Sequence, residues 1–438
     1  MFPLHIKSKT QKYYLYVQTI SLMRKALHFC SFKKTKTAFD FQAVPSSSNV
    51  FHPVKRNAVS KYQFVGVMAA VLLFASCQKE DLSNPALNST TSGDMSAVAS
   101  SSLPQVDAGN GQQVVYSSNT SATLKGSGSS ANGSVTFRWK QTGGNGTATI
   151  ADPTKPSTNV SNLKPGIYTF TLTVTDSKGI SNTDNTTISV LIKATWTIEG
   201  VTREALIHPS SSTSGAAAPV IMAFHGHTGT DIGFSKRGFE ISWPEAVVVY
   251  VQGAREKSAL DPDAKKSGWQ SSVGEVNSVT GVKDQDLKFF DAMLPTLKRK
   301  YNANLSLIFV HGWSNGGEFI YNVLWAARGN QLAGLSPAGA SLSTTRGKQP
   351  VPVIHTAGTQ DEDVSFSKQQ QCTQSVRVLD QCSSIGTTWI TGPSALLGTK
   401  YVSPIKDNVV FLQYNGGHDY PYTVPPIIVN FFKEIAKQ

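Results

Sequence analysis

Residues 305–328 place three patterns in direct succession, and this succession restricts the possible folds more than any other stretch of the chain. The run LSLIFV (305–310) is apolar almost throughout, as in a strand buried on both faces. HGWSNGG (311–317) follows, and residues 317–328 then repeat apolar side chains at three- and four-residue spacing, which is typical of an amphipathic helix. A buried strand, a glycine-containing turn and a helix predict one unit of a mostly parallel sheet.

Apolar runs of strand length recur along the C-terminal half of the chain and alternate with helical patterns. They are VIMAF (220–224), AVVVYV (246–251), PVPVIH (350–355) and VVFLQY (409–414). In residues 284–300, apolar side chains fall on one face of a helix, at Leu287, Phe290, Met293, Leu294 and Leu297. This alternation predicts an α/β fold over residues 195–438, with helices on both faces of a mostly parallel sheet.

Residues 103–192 follow a different periodicity, in which polar and apolar side chains alternate. Phe170, Leu172 and Val174 are separated by threonines, which indicates a strand with one buried face. The sequence DSKG (176–179) then supplies residues that favour a turn. Short strands of this kind predict a separate, small antiparallel β-sandwich.

The net charge of +12 raises the question of a nucleic-acid partner, but the basic residues are concentrated before residue 77. Residues 1–76 contain eleven Lys and Arg and one acidic residue, which leaves 29 basic and 27 acidic residues in 77–438. Nucleic-acid binding needs clustered positive charge on the folded surface. The nearly neutral remainder therefore predicts no nucleic-acid partner.

The region before residue 78 has the pattern of an export signal. The apolar run VGVMAAVLLFA (65–75) is shorter than a membrane-spanning helix, follows three basic residues and ends just before Cys77. It resembles a bacterial lipoprotein signal, which implies that Cys77 is lipidated and anchors the mature chain to a membrane. The sequence QKED (78–81) resembles the surface-export signal of Bacteroidetes lipoproteins. Together they imply an exported lipoprotein of the outer membrane or cell surface.

Residues 1–53 do not fit such a signal, and we expect translation to begin at Val54. Residues 1–76 are therefore a leader and are excluded from the fold. Residues 77–102 are rich in Ser, Thr, Asn and Ala and contain few large apolar side chains, which predicts a flexible linker.

Ser314 lies in a G-x-S-x-G sequence between the predicted strand and helix. In that setting the turn strains the serine backbone, and the flanking glycines avoid clashes with the strand and the helix. The hydroxyl then lies at a helix N-terminus, which favours negative charge. The simpler interpretation is a small residue in a glycine-rich turn, because the five-residue pattern alone is common. With a strand before it and a helix after it, Ser314 is the candidate nucleophile.

A serine nucleophile needs a base and a group that orients the base, which follow in the order acid, then histidine, in one group of hydrolases. His418 comes directly after the strand VVFLQY, in the loop NGGHDYP, and is the candidate base. The loop GTQDEDV after PVPVIH offers two candidate acids, Asp361 and Asp363.

The charge that develops on an attacked carbonyl oxygen needs two backbone N–H donors. Asn315, directly after the candidate nucleophile, is expected to supply one. The loop HGHTG (225–229) after VIMAF is expected to supply the other, from His227, which we favour, or from Thr228. A plain turn would explain the glycines of this loop, but not the sequence HG directly after a buried strand.

Six segments resemble the poly(3-hydroxybutyrate) depolymerase / feruloyl esterase group of α/β-hydrolases, which includes acetylxylan esterases. They are FHGHTG, GWQSS, DLKFFDAMLPTLKRKYNAN, VHGWSNGGEF, GTQDEDV and GGHDYP, within residues 195–438. The resemblance implies Ser314, Asp361 and His418 as nucleophile, acid and base. The family pattern GTxD-x-x-V favours Asp361 over Asp363.

Two tryptophans are candidates for substrate contact. Trp269, in GWQSS, falls on the acyl-pocket side of the family's site, although a core tryptophan is an equal alternative. Trp313, beside the serine, either packs or lines the pocket. The family pattern also changes at His227, where members often have cysteine, and at Tyr420, where they usually have tryptophan. Both positions adjoin the site, so the resemblance leaves substrate preference open.

The segments LKGSGSSANGSVTFRWKQ and GIYTFTLTVTDSKG, within residues 103–192, resemble a PKD-type (polycystic kidney disease) immunoglobulin-like domain. Trp139 stands at the position of the core tryptophan of that family. The resemblance implies a spacer or a weak binder of polysaccharide.

Cys372 and Cys382 are a candidate disulfide, because exported proteins meet an oxidising environment. They flank a helical pattern, and the ends of a straight ten-residue helix lie about 15 Å apart. A disulfide tolerates roughly 7 Å between Cα atoms, so the pair bonds only if the helix is short or bent. The sequence contains no C-x-x-C or H-E-x-x-H spacing, so no metal site is predicted.

These patterns combine to predict an exported, lipid-anchored serine esterase that needs no cofactor. Its expected substrates are feruloyl or acetyl esters on plant polysaccharide. One alternative is a poly(3-hydroxybutyrate)-type polyester depolymerase. Another, from a different class, is a non-catalytic surface protein that binds polysaccharide, although the ordered nucleophile, acid and base argue against it.

Overall fold

The computed structural model of the chain describes residues 102–258 and 261–438. The predicted leader (1–76), the predicted lipidation site Cys77 and the predicted linker up to residue 101 lie outside the described residues. In the part of the chain that is described, no helix combines the length and apolar character that a membrane crossing requires.

The first nine strands form a β-sandwich around its own core. They are β1 (Gln105–Asp107), β2 (Gln112–Val115), β3 (Ala122–Lys125), β4 (Ser127–Ser129), β5 (Val135–Gly144), β6 (Thr149–Ile150), β7 (Ser157–Ser161), β8 (Gly166–Asp176) and β9 (Ser181–Ile198). One layer has the order β2-β9-β8-β5, the other contains β3-β7-β6, and β1 pairs with β4. Successive residues of β8 alternate between the core and the surface, and Phe170, Leu172 and Val174 are fully buried, because side chains of a strand point to opposite faces in turn.

The remaining strands belong to the α/β part of the chain. They are β10 (Val201–His208), β11 (Ala218–Phe224), β12 (Val247–Val251), β13 (Ala254–Arg255), β14 (Ser267–Gly268), β15 (Ala303–Trp313), β16 (Gly334–Ala338), β17 (Val353–Gly358), β18 (Thr387–Gly392), β19 (Leu396–Tyr401) and β20 (Val409–Tyr414). The runs that the sequence predicts as strands coincide with β11, β12, β15, β17 and β20 to within a few residues.

The described residues contain seven α-helices, six between these strands and one after the last of them. They are α1 (Asp231–Ser235), α2 (Phe239–Ser242), α3 (Gln285–Tyr301), α4 (Asn315–Phe319), α5 (Trp325–Arg328), α6 (Phe366–Leu379) and α7 (Val424–Ile435). A π-helical turn, Ile320–Leu324, joins α4 to α5, and a 3-10 turn, Gly329–Gln331, follows α5. α3 to α6 pack on one face of the sheet, and α1, α2 and α7 pack on the other, which produces two buried apolar layers.

The α/β sheet has the strand order β9-β10-β12-β11-β15-β16-β17-β20-β19-β18. The six strands from β12 to β20 are parallel, while β10 is antiparallel to both of its neighbours and β18 and β19 form an antiparallel extension. A parallel sheet with antiparallel strands at its start and helices on both faces is the α/β-hydrolase fold. The predicted fold class is confirmed.

β9 belongs to both parts of the chain. It pairs with β8 through residues 181–190 and with β10 through residues 192–198. The predicted boundary between the two domains, at 192–195, therefore falls inside one uninterrupted strand. Leu191, between the two pairings, is packed into a core layer of the α/β part. The described residues of the sandwich and of the α/β part consequently belong to one compact unit.

Candidate active site

Ser314 makes a strained turn between β15 and α4. β15 ends at Trp313 and α4 begins at Asn315, so Ser314 alone reverses the backbone. Its φ of 52° and ψ of −121° lie in a region that residues with a side chain rarely adopt, at a cost of about 1–3 kcal/mol. A 2.8 Å hydrogen bond from its N–H to the carbonyl oxygen of Ala338 holds this conformation.

The glycines on either side of the serine make this turn possible. A Cβ on Gly312 would overlap the carbonyl oxygen of Gly316, and a Cβ on Gly316 would overlap the carbonyl oxygen of Phe224. Strand and helix thus approach each other backbone to backbone, which glycine permits because it has no Cβ. The spacing of the sequence motif therefore has a steric reason.

Hydrogen bonds join Ser314 to His418 and His418 to Asp361. Ser314 Oγ lies 2.9 Å from His418 Nε2. His418 Nδ1 lies 3.0 Å from Oδ2 and 3.1 Å from Oδ1 of Asp361. Because a carboxylate only accepts hydrogen bonds, His418 donates from Nδ1, and Nε2 then accepts from the serine hydroxyl. This tautomer is the one that can remove the hydroxyl proton.

Sheet topology explains how three distant segments meet. Ser314 follows β15, Asp361 follows β17 and His418 follows β20, and these strands run parallel in one sheet. The carboxyl ends of parallel strands lie at one edge of the sheet, where α/β proteins place their sites.

The two candidate acids have different environments. Asp361 is buried, and its Oδ1 accepts the N–H groups of Asp363 at 3.0 Å and of Val364 at 2.9 Å. Asp363 is exposed. The structure thus brings Asp361 to His418, while Asp363 contributes a backbone N–H that orients the Asp361 carboxylate.

Two backbone N–H groups near Ser314 are available as donors. Asn315 is the first residue of α4, where an N–H has no partner within the helix. Among the described residues, the N–H of His227 likewise has no hydrogen-bond partner, whereas that of Thr228 donates to the carbonyl oxygen of Ser267 at 2.8 Å. The sequence left two candidates for this donor. The N–H of Thr228 already has a hydrogen-bond acceptor, whereas that of His227 is free to donate to a ligand.

His225 holds the loop that carries His227. Its Nε2 accepts the N–H of Gly253 at 3.0 Å, so Nδ1 donates to the carbonyl oxygen of Gly226 at 2.7 Å. Burial lowers the pKa of His225 to about 4, which keeps the ring neutral at pH 7. A Cβ on Gly226 would lie 3.4 Å from Ser314 Cβ, so this loop runs directly beside the serine.

Trp269 is buried, which favours the alternative of a core tryptophan over contact with substrate. It is 3% exposed, and its ring centroid lies 5.1 Å from that of Phe224 and 5.5 Å from that of Phe319. Its Nε1 donates to the carbonyl oxygen of His225 at 2.7 Å, and its backbone N–H donates to Asn315 Oδ1 at 2.9 Å. Trp269 therefore ties the His225 loop to the start of α4.

Trp313 packs against the loop that carries His418. Its ring centroid lies 4.7 Å from that of His418 and 5.3 Å from that of Tyr420. Its indole also fills space beside two glycines, since a Cβ on either Gly226 or Gly339 would approach it to 2.8 Å. The half-buried Trp313 thus supports the imidazole of His418.

Buried polar side chains extend from Asp361 into the core. Gln369 of α6 donates from its amide nitrogen to Asp361 Oδ2 at 2.9 Å. Its amide oxygen accepts from His355 Nε2 at 3.0 Å, and His355 Nδ1 accepts from the hydroxyl of Tyr321 at 2.9 Å. Burial lowers the pKa of His355 to about 4, so this ring is neutral. Sequence reasoning missed Gln369, because nothing local distinguishes it from the two glutamines that follow it.

Cys372 and Cys382 are free thiols, so the candidate disulfide does not form in this structure. α6 continues as far as Leu379, seven residues beyond Cys372, which is about 10 Å of helix. Cys372 Sγ instead accepts the N–H of Leu342 at 3.1 Å, and Cys382 Sγ donates to the carbonyl oxygen of Asp407 at 3.6 Å. The helix that follows Cys372 keeps the two cysteines apart along the chain.

Residues 108–190 match a protein-family model that describes a PKD domain. This match confirms the resemblance of the sandwich to PKD-type domains. It covers the sandwich alone and leaves the α/β part to be judged on its own geometry.

The other similarities of the chain are more distant. A bifunctional acetylxylan esterase/xylanase of Neocallimastix patriciarum is 22% identical over 112 residues, which are 25% of this chain and 16% of the relative. The chain therefore matches only a small part of the relative's length. Among solved structures, a thermostable esterase has a TM-score of 0.40 and 12% identity, covering 68% of this chain and 89% of its own. Esterase PE8 has a TM-score of 0.35 and 16% identity, covering 52% and 97%.

Proposed function

We propose that the protein is a serine esterase that hydrolyses carboxylic ester bonds through Ser314, His418 and Asp361. The observation that carries this proposal is the continuous hydrogen-bond chain from the Ser314 hydroxyl through His418 to the buried Asp361. A glycine-rich turn without a catalytic role would need neither the strained serine nor the buried acid behind the histidine.

In the proposed reaction, Ser314 Oγ attacks the ester carbonyl carbon while His418 Nε2 takes the hydroxyl proton. The N–H groups of Asn315 and His227 stabilise the oxyanion that forms. His418 then gives its proton to the leaving alcohol, and an acyl group remains on Ser314. Water attacks this acyl-enzyme by the same route and releases the acid. Asp361 holds the tautomer of His418 and stabilises its protonated form.

The substrates we propose are feruloyl or acetyl esters on plant polysaccharide. This choice is supported by the motifs shared with the feruloyl esterase group and by the similarity to a protein named as an acetylxylan esterase/xylanase. A polyester depolymerase of the poly(3-hydroxybutyrate) type is the second candidate, because the same sequence motifs occur in that group. No cofactor enters the proposed reaction.

We also propose that the protein is exported and anchored through a lipid on Cys77, at the outer membrane or cell surface. The support is the sequence pattern of residues 54–81. A polymeric substrate fits this location, because plant polysaccharide is too large to enter a cell intact.

The test compares the full-length chain with Ser314→Ala on p-nitrophenyl acetate. We expect hydrolysis by the unaltered chain and a loss of at least about 10³-fold in kcat for the variant. Equal rates for the two proteins would exclude Ser314 as the nucleophile. Methyl ferulate, acetylated xylan and a poly(3-hydroxybutyrate) film then separate the candidate substrates.

A further inference from the structure

A cavity of about 770 Å³ opens where the sandwich meets the α/β part. Gln112 and Gln113 of β2 line one wall, with Thr187 of β9 beside them. The opposite wall contains Lys236 and Arg237, which follow α1, and Tyr422, which lies just before α7. We call this cavity the interdomain groove. Its volume is in the range of sites that bind small molecules or short stretches of polymer.

One wall of the interdomain groove is joined to the α/β sheet by a continuous strand ladder. β2 pairs in parallel with residues 188–191 of β9, and the N–H of Tyr116 donates to the carbonyl oxygen of Leu191 at 2.8 Å. β9 then continues into the α/β sheet without a break. The wall formed by β2 and β9 is therefore fixed to the sheet before a ligand binds, which reduces the entropy lost on binding.

The interdomain groove is positively charged. Of the described residues that line it, Lys236 and Arg237 are charged and none is acidic. Neither of these two forms a salt bridge with any described residue. Two unpaired cations facing one cavity favour an anionic ligand.

Arg237 is held so that part of its guanidinium stays available. The group lies 4.5 Å from the ring centroids of both Tyr420 and Tyr422, and one of its nitrogens donates to the carbonyl oxygen of Tyr420. A guanidinium has five N–H donors in a planar fork that matches a carboxylate. Contact with two tyrosine rings restrains the guanidinium and leaves its remaining donors for a ligand.

The other lining groups suit a sugar chain. The amide of Gln113 and the hydroxyl of Thr187 can donate to and accept from sugar hydroxyls, whereas the amide nitrogen of Gln112 already donates to the carbonyl oxygen of Thr123 at 2.8 Å. Tyr422 is 67% exposed, so much of its ring surface is open to a flat ligand. Together with the cations, these groups are chemically complementary to a sugar that carries a carboxylate.

The interdomain groove lies close to the candidate nucleophile. Tyr422 is four residues from His418, so the backbone between them spans at most roughly 14 Å. The ring of Tyr420, which stacks on Arg237, also lies 5.3 Å from that of Trp313, the neighbour of Ser314. One end of the groove, at Tyr422, therefore lies within roughly 14 Å of the His418 backbone, a span that a polymer bound in the groove can cover.

We propose that the interdomain groove binds the main chain of an acidic polysaccharide, with a uronic acid carboxylate on Lys236 and Arg237 and sugar rings along Tyr422 and Gln113. The proposal rests on the proposed esterase activity for the role of the bound chain, whose ester groups would reach Ser314. Binding itself does not require turnover and is measured separately.

Binding is measured on full-length Ser314→Ala by affinity gel electrophoresis in glucuronoxylan, and in the same polymer after its carboxyl groups are reduced to alcohols. We expect glucuronoxylan to bind at least about tenfold more tightly than its reduced form. About 1 M NaCl, where the Debye length is about 3 Å, is expected to remove this difference. Adding Lys236→Gln and Tyr422→Ala should lower the affinity for glucuronoxylan about tenfold. Lys178→Gln, at an exposed turn of the sandwich, is the charge-matched control and should bind normally.

Equal affinity for the two polymers, or unchanged binding after Lys236→Gln and Tyr422→Ala, would overturn the proposal. In the active chain, the same two substitutions should leave p-nitrophenyl acetate hydrolysis unchanged and raise KM on acetylated glucuronoxylan. Selective binding without any hydrolysis would refute the proposed esterase activity and support the proposed binding site in the interdomain groove. Hydrolysis without selective binding would support the proposed esterase activity and refute the proposed binding site in the groove.

Discussion

Gln369 donates a hydrogen bond to Asp361, with its Nε2 2.9 Å from Oδ2, and so connects helix α6 to the proposed catalytic acid. The amide oxygen of Gln369 accepts from His355, which determines the orientation of the amide from its other end. Gln369 does not touch the reacting atoms. It is a positioning residue, because it holds the Asp361 carboxylate in the orientation that faces His418.

Gln369→Leu removes this hydrogen bond and leaves Nε2 of His355 without its partner. We expect kcat on p-nitrophenyl acetate to fall about tenfold, since a hydrogen bond to a charged group contributes about 1.5–3 kcal/mol. KM should change little, because the substrate does not contact Gln369. Gln370→Leu, at the exposed neighbour on the same helix, is the control. An unchanged kcat in Gln369→Leu would refute the positioning role.

Asp361 and Asp363 are separated by one residue but differ in burial, so the same substitution should lower kcat at one position only. Asp361→Asn is expected to lower kcat by about 10³-fold or more, because an amide neither fixes the tautomer of His418 nor stabilises its protonated form. Asp363→Asn keeps the backbone N–H that Asp361 accepts and should leave kcat unchanged. Steady-state kinetics on p-nitrophenyl acetate check both, and a larger loss in Asp363→Asn would reverse the assignment.

The strained backbone at Ser314 predicts an unusual order of stability among inactive variants. Ser314→Gly should unfold with a free energy about 1 kcal/mol higher than that of Ser314→Ala, because glycine adopts this φ and ψ without strain. Neither variant has a hydroxyl, so the comparison reports the backbone alone. Urea unfolding measures the difference, and equal stability would mean that the turn stores no strain.

Four buried histidines are expected to make the fold sensitive to acid. Burial lowers the pKa to about 4 for His208, His225 and His355 and to about 3 for His311. In the unfolded chain, the same histidines have a pKa of about 6.5. The free energy of unfolding is therefore at its full value above pH 6.5, where these histidines are neutral in both states, and it decreases as the pH falls toward 4.

His208→Leu tests this on one residue that lies outside the proposed site. The unaltered chain should lose about 2 kcal/mol of unfolding free energy per buried histidine between pH 7 and pH 5. The variant should therefore lose about 2 kcal/mol less over the same interval. Urea unfolding at the two pH values gives both losses. If the two proteins lose the same amount, His208 does not titrate as its burial implies.

Asp380 has the opposite pH dependence. It is fully buried, and burial, with the charge of Asp407 as a smaller cause, raises the pKa of its carboxyl to about 8. The unfolded value is about 3.9, so stability is complete below that pH and is lost as the pH rises toward 8. Asp380→Asn removes the titration and should raise the unfolding free energy by about 2 kcal/mol or more at pH 8, with little effect at pH 4. A variant that is destabilised equally at both pH values would contradict this.

Local sequence patterns were sufficient to predict the strands and helices that surround the candidate site. The apolar runs became β11, β12, β15, β17 and β20, and the alternation around Phe170 became β8, because side-chain periodicity reports which faces of an element are buried. The position of Ser314 between a strand and a helix was also a local property. So was the placement of Asp361 and His418 directly after strands, which in a parallel sheet brings them to one edge.

Contacts between segments far apart in the sequence were decided by the tertiary structure alone. Trp269 is buried because Phe224 and Phe319, from two other elements, enclose its ring. Thr228 is disfavoured as the candidate oxyanion donor because its N–H donates to the carbonyl oxygen of Ser267. Periodicity describes the neighbours of a residue along the chain, whereas these outcomes depend on which segments meet across the fold. The sequence by itself thus determined the elements and the order of the candidate groups, and packing decided which side chains support the site and which side chains face the groove beside it.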